Sequence, residues 1–388
     1  MGALNRAGAH MPGKHIIFLV PGMGTYVDDD NKPVDDWHKA AKKVIARELK
    51  KYPEYTGGKD IDHFYEFVPV NYDALFERLA NKWGKIANQV ADAGLTDAGA
   101  LVDFFKGGKD PDNFFWTHFA DVLLYYFSPL VRDATQATVA SQIATKLNAE
   151  HQRAASQGGT VRPFSIIAHS LGTSVVSDVI QAKSKFLDEN GYGNIWPPVA
   201  YLAMLANVSK LLERKVVNNV YAGHVVPGDY CNRYLSAAHK YDPFTWYRPF
   251  KPPLEGTAWG DKNPDPTKFG YVPVQGLKNF TLPDSFPDNP SEVDWSKLVR
   301  EVTPHGFEHY FANPVVHLNI FKQTLHGAVI RSTTIVAKQN EFDQKSSDAL
   351  RERLLKKIKL PDEIGDTDSI LEILEKIKAL FKTIGSTA

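Results

Sequence analysis

A serine, an aspartate and a histidine are the side chains that acyl transfer needs, and this chain offers each at a suggestive place. The serine is Ser170, in Phe164-Ser165-Ile166-Ile167-Ala168-His169-Ser170-Leu171-Gly172-Thr173-Ser174. An apolar run meets a tight His-Ser-Leu-Gly turn, and the periodic segment Val175 to Ile180 follows at once, so the stretch predicts strand, elbow and helix. Such a turn holds the serine in a strained backbone and lifts its hydroxyl above the sheet. It also aims the following N–H, at the helix N-terminus, into the same space. Ser170 is the candidate nucleophile and the Leu171 N–H a candidate oxyanion donor. The usual first glycine is replaced by Ala168, whose single methyl still passes under the elbow. A second donor is expected from Met23, in the Pro21-Gly22-Met23-Gly24 turn that closes the apolar run His15 to Val20.

A serine on such an elbow is served by an acid and then a histidine, each on a loop after a later strand. Asp242 lies just past the strand expected over Cys231 to Ala238, where the acid belongs; Asp229, Asp178, Asp261 and Asp265 are worse placed. For the base, Pro304-His305-Gly306-Phe307-Glu308-His309-Tyr310-Phe311 offers His305 and His309. The reading leans to His309, beside the aromatic pair that fixes the next helix start, with His305 a near-equal alternate. His169 reads as a packing residue on the far side of the elbow.

These side chains need a scaffold, and the chain alternates strand and helix patterns. Continuous apolar runs at His15 to Val20, Phe164 to Ala168 and Val199 to Asn207 read as strands buried on both faces, with others near Asp62 to Tyr72 and Tyr271 to Val274. Asp35 to Tyr52 reads as an amphipathic helix, 73–157 as mostly helical, and Asn313-Pro314 as the start of a helix running to His326. The expected architecture is α/β: a mostly parallel central sheet with helices on both faces, a helical insertion at 73–157 placed as a lid would be, and an aromatic, Pro-rich excursion at 243–290. Residues 14–330 form the expected catalytic domain and 331–388 a C-terminal helical extension. Within that extension, Ile370 to Ile384 carries an apolar stripe at helical spacing that must be buried.

Composition narrows the function. The 45 basic and 45 acidic residues cancel, which argues against a nucleic-acid partner. A single cysteine, Cys231, excludes an internal disulfide and a thiolate metal cluster. No signal-peptide core and no apolar run of spanning length is present, so a cytoplasmic protein with at most peripheral membrane contact is expected.

The Ala168-His169-Ser170-Leu171-Gly172 elbow resembles that of serine lipases and esterases of the α/β-hydrolase fold. Phe67-Val68-Pro69-Val70-Asn71-Tyr72, Asp121 to Tyr126, Leu147-Asn148-Ala149-Glu150 and His239 to Pro249 are similar to the intracellular phospholipase A1 proteins with a DDHD domain. The similarity is patchy and runs from about 64 to 320. It implies an ester or lipid substrate, Ser170 as nucleophile, Asp242 as acid, and no metal or organic cofactor. That family places His-x-x-Tyr-aromatic before its last helix; here Phe307 stands at the histidine position, His305 two residues early and His309 two late. The competing expectations are a short-chain carboxylesterase or thioesterase and, from another class, an inactive hydrolase-fold scaffold that binds a partner through its C-terminal helices.

Overall fold

The computed structural model describes residues 13–22, 26–27, 33–34, 36–72, 125, 129–183, 197–210, 212, 230–240, 242, 245, 250, 269–276 and 305–357. The strands are β1 (His15–Val20), β2 (Tyr26–Val27), β3 (Pro33–Val34), β4 (Tyr65–Pro69), β5 (Phe164–His169), β6 (Tyr201–Leu205), β7 (Tyr234–His239) and β8 (Phe269–Val274). The helices are α1 (Trp37–Lys50), α2 (Pro53–Thr56), α3 (Ile61–Phe64), α4 (Pro129–Gln157), α5 (Leu171–Lys183), α6 (Phe307–Phe311), α7 (Pro314–Thr324) and α8 (Ser332–Lys357).

Six of these strands form one all-parallel sheet in the order β4-β1-β5-β6-β7-β8, while β2 and β3 make a small antiparallel pair. Parallel strands need a crossover between neighbours, which covers both sheet faces with helices and leaves the central strands no polar face. That explains why β1 and β5 are buried at every position.

Alternation along β1 then divides the core. Ile16, Phe18 and Val20 pack toward α4 and α5 with Ile166, Ala168, Val175 and Val179. Ile17 and Leu19 pack the other way with Trp37, Ile45, Phe311, Leu318 and Phe321 from α1, α6 and α7. On α4 the buried positions Val131, Thr135, Val139, Ile143, Leu147, Glu150 and Ala154 recur every three or four residues, one stripe facing inward. Between α4 and α5 lies a buried polar cluster: Asp178 Oδ2 accepts from Arg132 Nη2 at 2.5 Å, the Tyr125 hydroxyl at 2.6 Å and Gln136 Nε2 at 3.2 Å.

Several boundaries differ from the sequence expectation for local reasons. The stretch from Asp62 opens as the helical turn α3, because Ile61, Phe64 and Tyr65 share the inward side while Asp62 and His63 face solvent. The strand starts only at Tyr65 and ends at Pro69, which lies on the sheet edge where its missing N–H costs no ladder bond. α7 stops at Thr324 rather than His326, and Asn313 does not cap it through its side chain; its amide nitrogen instead donates to the carbonyls of His309 and Gly276, the latter at 3.1 Å.

α8 lies against α7 and adds Ile335 to the same core. It also rests on Gly276, two residues past β8: a Cβ there would sit 2.3 Å from Phe342. Residues 73–124, most of 243–290 and the Ile370–Ile384 stripe lie outside the described residues. Among those described, no helix is long and apolar enough to cross a membrane.

Candidate active site

β5 ends in an abrupt turn into α5, and Ser170 at the turn has φ 53°, a left-handed backbone unusual for a residue with a side chain. Holding serine there costs about 1–3 kcal/mol, so the surroundings must enforce it. They do so through backbone bonds: Ser170 N–H donates to Leu205 O at 3.0 Å, and Thr173 N–H and Oγ both donate to Ser170 O, at 2.9 and 2.6 Å. Thr173 Oγ also accepts the Val208 N–H at 3.0 Å, which ties the elbow to the end of β6.

The elbow is pressed against the turn after β1. A Cβ on Gly172 would lie 2.3 Å from Pro21 O, and one on Gly22 would lie 2.6 Å from Ser170 Cβ. Both places need glycine, Gly172 because the backbone of β1 and its turn crowds it and Gly22 because the Ser170 side chain does. The Tyr72 hydroxyl holds that turn by donating to Pro21 O at 2.5 Å. Ala168, where a first glycine was expected, is fully buried and accommodated under the turn.

Three side chains from distant parts of the chain meet above this elbow. Ser170 Oγ lies 2.7 Å from His305 Nε2, and His305 Nδ1 lies 2.8 Å from Asp242 Oδ2. Because a carboxylate only accepts, Nδ1 carries the proton and Nε2 is left to accept from the serine hydroxyl. Ser170, His305 and Asp242 are 7%, 3% and 0% exposed, so these bonds operate in a site largely cleared of water.

His309, favoured from sequence, is not the ring at Ser170. It lies inside α6, with Nε2 3.9 Å from Glu308 Oε1. His305 precedes the helix, separated from it by Gly306 at φ −61°, ψ 142°, and this extended residue turns its ring toward the elbow. Among the rival acids, Asp178 is engaged by Arg132 between α4 and α5 and is pushed up to about 6 by burial. Asp229, Asp261 and Asp265 lie outside the described residues, as does Met23. Leu171 opens α5, so its N–H belongs to the first helical turn, whose donors lack intrahelical acceptors.

Other residues steady the site. His169 Nε2–H donates to His305 O at 2.7 Å, and its ring stacks on Trp37 with centroids 6.3 Å apart. The Tyr310 hydroxyl donates to Asp242 Oδ2 at 2.5 Å and accepts the His239 N–H at 3.1 Å. Sequence patterning could not find Tyr310 as a partner of Asp242, because 68 residues separate the two. A cavity of about 710 Å³ lies against α1 and β4; it is lined by residues such as Trp37, Lys42, Asp62 and Phe67 and by none of Ser170, His305 and Asp242.

Neither protein-family models, nor curated proteins, nor solved structures yield a match to this chain.

Proposed function

We propose that the protein is a serine hydrolase of the α/β-hydrolase type that cleaves carboxylic esters through an acyl-enzyme. The observation that carries this reading is the single His305 ring bonded on one side to Ser170 Oγ and on the other to Asp242. In this reading His305 Nε2 takes the serine proton as Oγ attacks the ester carbonyl, and then delivers it to the departing alkoxide. Asp242 fixes the tautomer and stabilises the imidazolium. The Leu171 N–H, with Met23 as the second donor expected from the sequence, receives the developing oxyanion, at about 3 kcal/mol per donor. Water activated by the same histidine releases the acid.

The order nucleophile, acid, base along the chain, and the positive φ of Ser170 at a strand-to-helix turn, support the fold assignment. A phospholipase-like preference for long acyl chains rests on the resemblance over 64–320. To test the activity, an alkyl fluorophosphonate should label the wild type at Ser170 and leave Ser170→Ala unlabelled. Equal labelling of both would sink the assignment. Turnover of p-nitrophenyl esters of graded length then separates lipase from short-chain esterase, and no turnover of any of them points to the scaffold alternative.

A further inference from the structure

Asp242 Oδ2 receives two hydrogens: His305 Nδ1–H at 2.8 Å and the Tyr310 hydroxyl at 2.5 Å. Tyr310 is fully buried on α6, so one short segment, 305–311, delivers both the histidine and the second donor to the carboxylate. Its oxygen is itself pinned by the N–H of His239, at the end of β7. Asp242 is bound back to the same strand end through its own N–H, which donates to His239 O at 3.1 Å.

We propose that Tyr310 is a positioning residue for the proposed Ser170–His305–Asp242 assembly, one that holds the Asp242 carboxylate in place and tempers the charge it presents to the His305 ring. The inference rests on the serine-hydrolase reading above. A carboxylate oxygen that accepts a charge-assisted bond from a phenol has less charge to offer a second donor. The imidazolium that forms on His305 during attack is therefore stabilised less than by a carboxylate that makes no such bond.

The neighbouring groups leave this arrangement intact across the working pH range. Burial and the Asp242 charge hold the Tyr310 phenol well above its ordinary range, so it remains a donor. The His239 ring, 5.7 Å from Tyr310, is held neutral by burial, which pulls it down to about 4. His169 also faces both groups, its ring 6.3 Å from Tyr310 and 5.4 Å from His305, and Thr245 Oγ donates to the Asp242 carbonyl at 3.0 Å.

The test is the pH dependence of fluorophosphonate labelling in the intact chain. Tyr310→Phe leaves the Asp242 carboxylate less firmly placed and should lower the plateau rate by about ten- to a hundredfold through lost alignment of His305. It should also move the acid limb to higher pH, because the carboxylate, relieved of that one donor, stabilises the imidazolium more. In the same position, 3,5-difluorotyrosine keeps the ring and strengthens the donor, and should move the acid limb to lower pH. A tyrosine that served only packing would change thermal stability and leave both midpoints where they were, and that result overturns the inference. If Tyr310→Phe does not fold, the difluorotyrosine midpoint alone decides. Failure of the wild type to label at Ser170 overturns instead the hydrolase reading, and this inference with it.

Discussion

His169 donates a hydrogen bond to the backbone carbonyl of His305, so the residue beside the candidate nucleophile carries the segment that bears the candidate base. The strand end and the loop from the far end of the chain are thereby held at a fixed separation. Stacking on Trp37 and edge contacts with Phe307 keep the His169 ring in place. His169→Phe keeps the aromatic packing and removes the bond. Ester turnover should fall roughly tenfold for the loss of about 1.4 kcal/mol of positioning, with KM nearly unchanged. Steady-state kinetics on a p-nitrophenyl ester would check this.

The two histidines that sequence leaves open separate cleanly by mutation. His305→Ala should reduce turnover by about four to six orders of magnitude, as expected when the base of a nucleophile is lost. His309→Ala should retain turnover within a few-fold, since its ring lies on α6 beside Glu308. Comparable losses in both variants would contradict the geometry.

Backbone strain at Ser170 predicts an inverse relation between stability and activity. Ser170→Gly relieves the positive φ and should raise unfolding free energy by about 1 kcal/mol while abolishing fluorophosphonate labelling. Chemical denaturation of both proteins measures the difference. A glycine variant less stable than wild type would argue that the contacts of the serine side chain outweigh its strain.

Gly172→Ala tests the opposite effect. Its new methyl would lie 2.3 Å from Pro21 O and 2.8 Å from Val20 O, both backbone atoms, so the turn after β1 must move. A stability loss of about 1–3 kcal/mol is expected from overpacking, and turnover should fall further than that loss explains, because the displaced turn touches Ser170. Melting curves alongside kinetics distinguish the two contributions.

Stability should also decline in mild acid. Burial pulls His15, His239 and His317 each down to about 4, below the ordinary value of about 6.5. Between pH 6.5 and 4 the unfolded chain takes up these protons while the folded chain does not, so stability falls as pH drops through that window, at about 1.4 kcal/mol per pH unit for each histidine. Asp178, pushed up to about 6, acts oppositely from about pH 4 to 6 and offsets one of the three. His317→Gln should reduce the slope by one proton, read from denaturant midpoints at several pH values.

How much of this was legible beforehand differs by element. β1 and β5 announce themselves, because a strand buried on both faces is mostly apolar; the polar exceptions His15 and Ser165 bond each other at 2.7 Å. The elbow is equally readable, since strand, small residue, serine, glycine and helix must follow in order. The histidine was not readable by spacing alone. One extended residue, Gly306, decides whether a ring four places earlier or later reaches the serine, and a sequence does not display its ψ of 142°. Tyr310 was hidden for another reason: it looks like core until its hydroxyl is seen to have two polar partners. The stretch from Asp62 reads as strand although α3 spans Ile61–Phe64, because three or four residues suit either period.

The position of α6 also has a consequence for biosynthesis. Ser170 and His305 are separated by 135 residues, and the helix that seats the histidine is packed by α7 and, through Asn313 and Gln339, by α8. A ribosome-bound chain that has already completed β5 and the elbow carries a serine with no partner ring. The contact closes only after segments beyond residue 311 have emerged and docked, so on the hydrolase reading the candidate nucleophile waits for its base until then.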